Sequence, residues 1–548
     1  VGNEYVELIN TFFGVFTFSC QAIFTKSYNS KFGGFSMKFT RHSTYAIFLV
    51  ALMCLGSHVP ARAQQSQKSH QDNKETIPTP KDQRTEGSVT VGGKDIDYAA
   101  VAGTIPLFND DRDTTAHIFY TAYFKKDVKD RAQRPVTFFY NGGPGSATVW
   151  LHMGSFGPVR VGTQDTAHVS GAPYELLSNQ YSLLDATDLV FVDAPGTGFS
   201  RLTNNGKDDH FFGVDQDAHA FADFITGFLT KHNRWNSPKY LFGESYGTTR
   251  SAVLSNILTT QKSVDLNGII LLSQILDYSN SVDYPQGSPG NERPYELALP
   301  TYAATAWYHN KLPNKPAELE PFLKEVEAFA MGDYASALAK GSELSDSRFN
   351  MVAEKLHQYT GLSVDYIKKA NLRVSGGEFE KNLQVDEMQT TGRLDSRFSG
   401  PTMDPLSQRS HYDPQSAAIS SAYVTLFNDY VRSTLHFGQH MEYRPSYRKH
   451  WDFDHGYGIG MNVMPDLSRA MKYNPRMHIL LTGGYFDLAT PFYEGIYEMH
   501  HLPIEQKLQE NISYKYFKSG HMVYVNPDCL GPMHDAVANF IRKTDNVE

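Results

Sequence analysis

Downstream of about residue 87 the chain alternates short apolar runs with turn residues. Val136-Thr137-Phe138-Phe139-Tyr140 stops at Asn141-Gly142-Gly143-Pro144-Gly145, and Leu189-Val190-Phe191-Val192 stops at Asp193-Ala194-Pro195-Gly196. Tyr240-Leu241-Phe242 stops at Gly243, and Gly268-Ile269-Ile270-Leu271-Leu272 and His478-Ile479-Leu480-Leu481-Thr482 complete the series. Runs rich in aromatic and β-branched residues, closed by Gly or Pro, predict strands. Because they are apolar almost without interruption, they predict a mostly parallel sheet covered on both faces by helices. Helical spacing over 219–231 and 249–260 supplies such helices.

Between 283 and 448 the strand signal fades. Residues 316–339 read as an amphipathic helix, with Leu319, Phe322, Leu323, Val326, Phe329 and Ala330 near helical spacing. The pattern predicts a main α/β domain in two parts, 87–282 and 449–548, split by a mainly helical cap at 283–448. The chain returns to the sheet near Pro475.

The N-terminal region lacks this pattern. Residues 64–86, rich in Gln, Ser, Lys, Asp and Pro, read as a flexible linker. Residues 37–63 carry a basic start at Met37-Lys38-Phe39-Thr40-Arg41, an apolar run over 45–55 and Ala61-Arg62-Ala63 before Gln64. That is the layout of a secretory signal peptide, and the run is short for a membrane span. A lipidated Cys54 is the rival reading, against which stands the bulk of Met53 before it. Residues 1–36 precede a credible start at Met37 and read as a non-native upstream extension. The expected product is exported, periplasmic or secreted, with no stable membrane anchor once the signal is removed.

Composition narrows the chemistry. The 548 residues are 41% hydrophobic and 20% charged, an ordinary globular balance, and a net charge of −9 argues against a nucleic-acid face. There are 21 histidines but no His-Glu-x-x-His and no paired-cysteine spacing, so neither metal nor cofactor is expected. Loss of Cys20 and Cys54 with the leader leaves Cys529 alone, which excludes an intrachain disulfide.

The sharpest chemical signal is Gly243-Glu244-Ser245-Tyr246-Gly247, set between a strand and a helix. A serine hydroxyl is a weak nucleophile that needs a base beside it. A tight strand-to-helix turn flanked by small residues pushes such a serine out at the end of the strand. The acid and the base should follow in that order. Asp487 leaves the strand ending near Thr482, and His521 follows Tyr514-Lys515-Tyr516-Phe517. Asp193 precedes Ser245, His500 and His501 end a helix, and His534 lies in a C-terminal helix, so each fits less well. Two backbone N–H groups are needed for an oxyanion, and the Tyr246 amide and the turn at Gly143 fit. The turn lacks the Lys-Ser/Thr ending of a phosphate loop. These features together predict an α/β-hydrolase fold with Ser245, Asp487 and His521 as the catalytic set.

Asn141-Gly142-Gly143-Pro144-Gly145, Asp193-Ala194-Pro195-Gly196-Thr197-Gly198-Phe199-Ser200, the Ser245 pentapeptide, Gly484-Tyr485-Phe486-Asp487 and Gly520-His521-Met522-Val523 resemble, in order, the serine carboxypeptidases of peptidase family S10. The resemblance implies release of a C-terminal residue from peptides through an acyl-enzyme on Ser245. It implies that Gly143 and Tyr246 hold the oxyanion and that Asn141 and Glu244 bind the substrate's terminal carboxylate. Such a Glu must be protonated, since two anions would repel. Met522 is implied beside the leaving residue and the Tyr246 ring on the acyl side.

The chain departs from the family at four positions. Ser146 replaces the usual Cys, Phe139 the usual Trp, and Tyr524 the usual Pro. A second Glu that shares a proton with the first in eukaryotic members aligns near Ser155. Alternatives on the same fold are an esterase or acyltransferase and a catalytically silent binding protein.

Overall fold

A computed structural model describes residues 81–456 and 461–547. The expected extension (1–36), signal peptide (37–63) and linker residues up to 80 lie outside the described residues.

The apolar runs assemble into one ten-stranded sheet. Its strands are β1 (Gln83–Val91), β2 (Lys94–Phe108), β3 (Thr114–Lys125), β4 (Val136–Tyr140), β5 (Asp188–Val192), β6 (Arg201–Leu202), β7 (Lys239–Glu244), β8 (Gly268–Leu272), β9 (His478–Gly484) and β10 (Ile512–Phe517). The spatial order is β1-β2-β3-β5-β4-β7-β8-β9-β10, with β6 beside β3. From β5 to β10 every neighbouring pair is parallel, whereas β1, β2 and β3 form an antiparallel flank. Every residue of β4, β5 and β8 is buried, as expected for strands covered on both faces.

Helices α1 (Val214–His232), α2 (Tyr246–Thr260), α3 (Arg293–Tyr308), α4 (Leu319–Phe329), α5 (Asp346–Thr360), α6 (Pro414–Ser433), α7 (Met464–Tyr473), α8 (Phe492–His500) and α9 (Pro527–Thr544) follow in chain order. Helices α1, α2 and α7 close one face of the sheet around Phe138, Leu241 and Ile269. Helices α6 and α9 close the other around Phe139, Phe242 and Ile270. The fold is the α/β-hydrolase fold expected from the sequence.

Three boundaries differ from expectation. Strand β1 begins at Gln83, inside the stretch read as linker over 64–86. It is an edge strand, and its inner positions Gln83, Thr85 and Gly87 carry no apolar signal. The helix expected over 316–339 begins at Leu319 and passes through a π-turn at Ala330–Tyr334, with Ala335–Leu338 continuing it. The segment at 283–448 does not act as one cap. Residues 282–383 build their own core with Phe486, Leu488 and Phe492, whereas α6 packs into the core beneath the sheet with Phe156, Val523 and Leu530.

Candidate active site

The site begins with the turn that ends β7. Ser245 has φ 61° and ψ −129°, a backbone setting that only a tight, well-supported turn imposes on a non-glycine residue. Support comes from Ser245 N–H donating to Leu272 O (3.0 Å) and Thr248 N–H donating to Ser245 O (2.8 Å). The flanking glycines are a steric requirement, because a Cβ on Gly243 would lie 2.2 Å from Gly247 O. Ser245 is therefore partly exposed at the carboxyl end of β7 and at the start of α2.

The other candidates stand at the same edge of the sheet. Leu272 pairs with Glu244 on one side and Thr482 on the other, and Gly484 pairs with Phe517. The loops after β7, β9 and β10 thus open side by side. Asp487 Oδ2 lies 2.7 Å from His521 Nδ1, and both residues are buried. The remaining capacity of Asp487 is used locally: Ala489 N–H and Thr490 N–H donate to Oδ1, and the Thr490 hydroxyl donates to Oδ2 at 2.8 Å. Burial pulls the His521 pKa down, but the charge and hydrogen bond of Asp487, helped by Glu244, carry it above its ordinary value. Ser273, one residue past β8, donates from its hydroxyl to His521 O at 2.8 Å, tying the histidine loop to the strand end that holds Ser245.

The glycine turn after β4 closes against the start of α2. A Cβ on Gly142 would stand 2.4 Å from Tyr246 N, 2.8 Å from Glu244 O and 2.9 Å from Gly247 N. Only glycine permits that approach, which brings the Gly142-Gly143 turn against the Tyr246 amide.

Asn141 and Glu244 meet in this corner. The Asn141 amide is oriented by three contacts: Leu151 N–H donates to its Oδ1 (3.1 Å), the Arg250 guanidinium donates to its backbone O (2.8 Å), and its Nδ2 donates to Glu244 Oε1 (2.7 Å). The second Glu244 oxygen accepts from the Tyr524 hydroxyl at 2.8 Å. Glu244 is 4% exposed. Burial raises its pKa to about 7, outweighing the lowering by His521, Tyr524 and Asn141, with Asp487 adding to the rise. A carboxyl so placed is substantially protonated near neutrality and has a proton to donate.

Two expected pocket residues are buried. The Tyr246 ring, expected on the acyl side, is 1% exposed and turned into the core, edge-on to Trp451 and near the Arg250 guanidinium. Its rigid place at the start of a packed helix explains why the ring faces inward. Met522 is 5% exposed and packs in the core beneath the sheet with Tyr524 and Phe517. Ser155 sits in a buried π-turn over His152–Phe156 and donates to Leu151 O at 2.6 Å.

Sequence reasoning missed several supports. The buried pair Arg250–Asp217 (2.6 Å) holds Asn141 from behind, and a lone arginine in an otherwise buried helix face was its only signal. Asp395, paired with Arg397 at 2.6 Å, accepts from Gly520 N–H (3.2 Å), and His521 N–H donates to Leu394 O (2.6 Å). The inserted segment therefore clamps the histidine turn. Tyr524 was visible as a departure, but its contact with Glu244 was not.

Known proteins agree with this architecture. The serine carboxypeptidase family profile, Peptidase S10, matches residues 101–524. Serine carboxypeptidase-like 7 of Arabidopsis thaliana is 27% identical over 179 residues, 30% of this chain and 38% of that protein. Serine carboxypeptidase-like 36 of the same plant is 25% identical over 205 residues, 36% of this chain and 39% of its own. The chain thus matches about two-fifths of the length of these curated relatives. A prohormone-processing carboxypeptidase from Saccharomyces cerevisiae shares the fold, with TM-score 0.50 and 16% identity over 81% of this chain and 92% of that one. With the family profile spanning most of the chain and its sequence blocks gathered at one sheet edge, the chain belongs to peptidase family S10, the serine carboxypeptidases.

Proposed function

We propose that this protein is a serine-type carboxypeptidase that removes the C-terminal residue of peptides. The observation that carries the reading is Glu244: a buried carboxyl with a pKa near 7, next to Ser245 and held by Asn141. A neutral carboxyl and an amide placed there recognise a terminal carboxylate, which a general esterase has no use for.

In this mechanism Ser245 Oγ attacks the last peptide carbonyl while His521 Nε2 takes its proton, and the imidazolium then protonates the departing amino acid. Asp487 fixes the tautomer by accepting from Nδ1 and stabilises the positive ring. The Gly143 and Tyr246 N–H groups receive the developing oxyanion. Water resolves the acyl-enzyme by the reverse proton route. Met522, buried beside Tyr524, sets the floor near the leaving residue. The leader pattern over 37–63 supports an exported enzyme acting in a periplasmic or extracellular space. Among the described residues no helix is long and apolar enough to cross a membrane.

The test compares a blocked dipeptide with a free C-terminus against its C-terminal amide. The expected result is strong preference for the free acid. Equal cleavage of both would remove the carboxylate role of Asn141 and Glu244 and favour the esterase or acyltransferase reading. Stoichiometric labelling of Ser245 by a fluorophosphonate, lost in His521→Ala, tests the nucleophile. Absence of labelling in the unmodified protein would leave only a silent binding protein.

A further inference from the structure

Glu244 is held from two sides by hydrogen-bond donors. Asn141 Nδ2 donates to Oε1, and its orientation is fixed because Asn141 Oδ1 already accepts from Leu151 N–H. The Tyr524 hydroxyl donates to Oε2 at 2.8 Å. Tyr524 is 1% exposed, and its ring lies so close to Gly154 that a Cβ there would stand 2.5 Å from its Cδ2 and 2.7 Å from the Tyr423 hydroxyl. The phenol has no freedom to leave. Ser155, by contrast, spends its hydroxyl on Leu151 O and makes no bond to Glu244.

The other charged or titratable groups facing Glu244 are His521 and Asp487, from the loops after β10 and β9, and Tyr423 from α6. None of these donates a hydrogen bond to it; its two carboxyl oxygens accept from Asn141 and Tyr524. The arrangement of Asn141 and Tyr524 is thus the whole local control over which oxygen carries a proton and where that proton points.

We propose that Tyr524 is a positioning residue for the substrate's terminal carboxylate: with Asn141 it occupies one acceptor site on each Glu244 oxygen, leaving the Glu244 proton aimed at the incoming carboxylate. This inference rests on the carboxypeptidase reading. It has a consequence that a pair of acids would not share. Two carboxyls stay together only while they share a proton, so such a pair breaks as pH rises. A phenol whose own pKa lies far above the working range donates to Glu244 in both of its protonation states. The geometry of the corner therefore survives loss of the Glu244 proton, and the alkaline fall in peptide cleavage reports one ionisation rather than collapse of the site.

The experiment is a pH profile of kcat/KM for a blocked dipeptide free acid, with its amide as control, for the unmodified enzyme, Tyr524→Phe and Glu244→Gln. Removing the hydroxyl takes away one of the donors that lower the Glu244 pKa, so the alkaline limb for the free acid moves to higher pH in Tyr524→Phe. The plateau falls on the order of tenfold, mostly through KM, because Glu244 is less well oriented. In Glu244→Gln that alkaline limb disappears. In the double variant Tyr524→Phe produces no further movement of the limb. A limb that stays in place or moves down in Tyr524→Phe overturns the proposal, as does an equal loss on acid and amide. If the unmodified enzyme shows no free-acid preference, the carboxypeptidase reading itself fails, and the two failures are distinct. Should Tyr524→Phe not fold, persistence of the alkaline limb in Glu244→Gln alone still overturns the proposal.

Discussion

Substituting Glu244 by Gln should stabilise the protein while harming its chemistry. Burial holds the Glu244 pKa at about 7, against 4.5 in the unfolded chain. The folded state therefore keeps a proton that the unfolded state releases, and stability falls as pH rises between those values. Above pH 7 the loss levels off. A shift from 4.5 to about 7 corresponds to about 3 kcal/mol of stability lost at pH 8 and almost none at pH 4. Glutamine is never ionised and so removes that loss. It also fits the bonding: its Oε1 can accept from Asn141, and its Nε2 can donate to the Tyr524 oxygen, which reverses its role. The assay is thermal unfolding of both proteins at pH 4 and pH 8. For a folded body of this size, about 3 kcal/mol raises the midpoint at pH 8 by roughly 3 °C, with the two proteins coinciding at pH 4. An equal gain at both pH values, or destabilisation at pH 8, would mean that Glu244 is not carried neutral into the fold.

Three other outcomes follow from distances in the structure. Gly142→Ala drives a methyl group against Tyr246 N at 2.4 Å, so the acylation burst with a chromogenic ester should slow roughly 10²–10³-fold, as for loss of an oxyanion donor; a change under threefold would refute the closeness of the two turns. Asp217→Asn strands the buried Arg250 charge and should lower unfolding stability by about 3–5 kcal/mol in denaturant titration, whereas an unchanged midpoint would mean that the pair is dispensable. His455 bridges Asp215 (2.7 Å) and Asp466 (2.8 Å), and these hydrogen bonds raise its pKa to about 10. Its contribution is full below the unfolded value of 6.5 and fades as pH rises toward 10, so His455→Asn should lower the thermal midpoint at pH 6 and converge with the parent near pH 10; a constant gap would contradict the bridge.

What the sequence disclosed depended on how each element is covered. β4, β5 and β8 are buried on both faces, so their residues are apolar without a break and their ends are marked by Gly and Pro. Ser245 and Asp487 lie just past such ends, after β7 and β9, and were legible for that reason, whereas His521 follows the half-exposed edge strand β10 and was legible from its place after Asp487 in the chain. β1 was not, because an edge strand with Gln83, Thr85 and Gly87 on its inner face carries no period that separates it from a linker. Helix α6 has an apolar face like those of α4 and α5, and nothing in its own sequence says that this face meets the core beneath the sheet rather than the core of the inserted segment. Asp395 reaches Gly520 across 125 residues, and Asp217 reaches Arg250 across 33 in the sequence but between two different helices. Such pairings are products of topology.

On the proposed reading, the corner built by Asn141, Glu244 and Tyr524 also bears on Ser245 itself. Attack needs His521 neutral, and carboxylate recognition needs Glu244 protonated. His521 and Glu244 each feel the other's charge, so a single proton can lie on either, and the ionisation of Glu244 that sets the alkaline limb is shifted by the state of His521. With no substrate, the donors from Asn141 and Tyr524 favour Glu244 ionised and the field of Asp487 favours His521 charged, while burial favours both neutral. An arriving terminal carboxylate tips that balance. Its negative charge, placed against Glu244, draws the proton there, and His521 is left neutral as the base that Ser245 requires. A C-terminal amide brings no such charge. The free-acid preference should therefore show in kcat as well as in KM, and a preference confined to KM would mean that Glu244 binds the substrate without setting the state of His521.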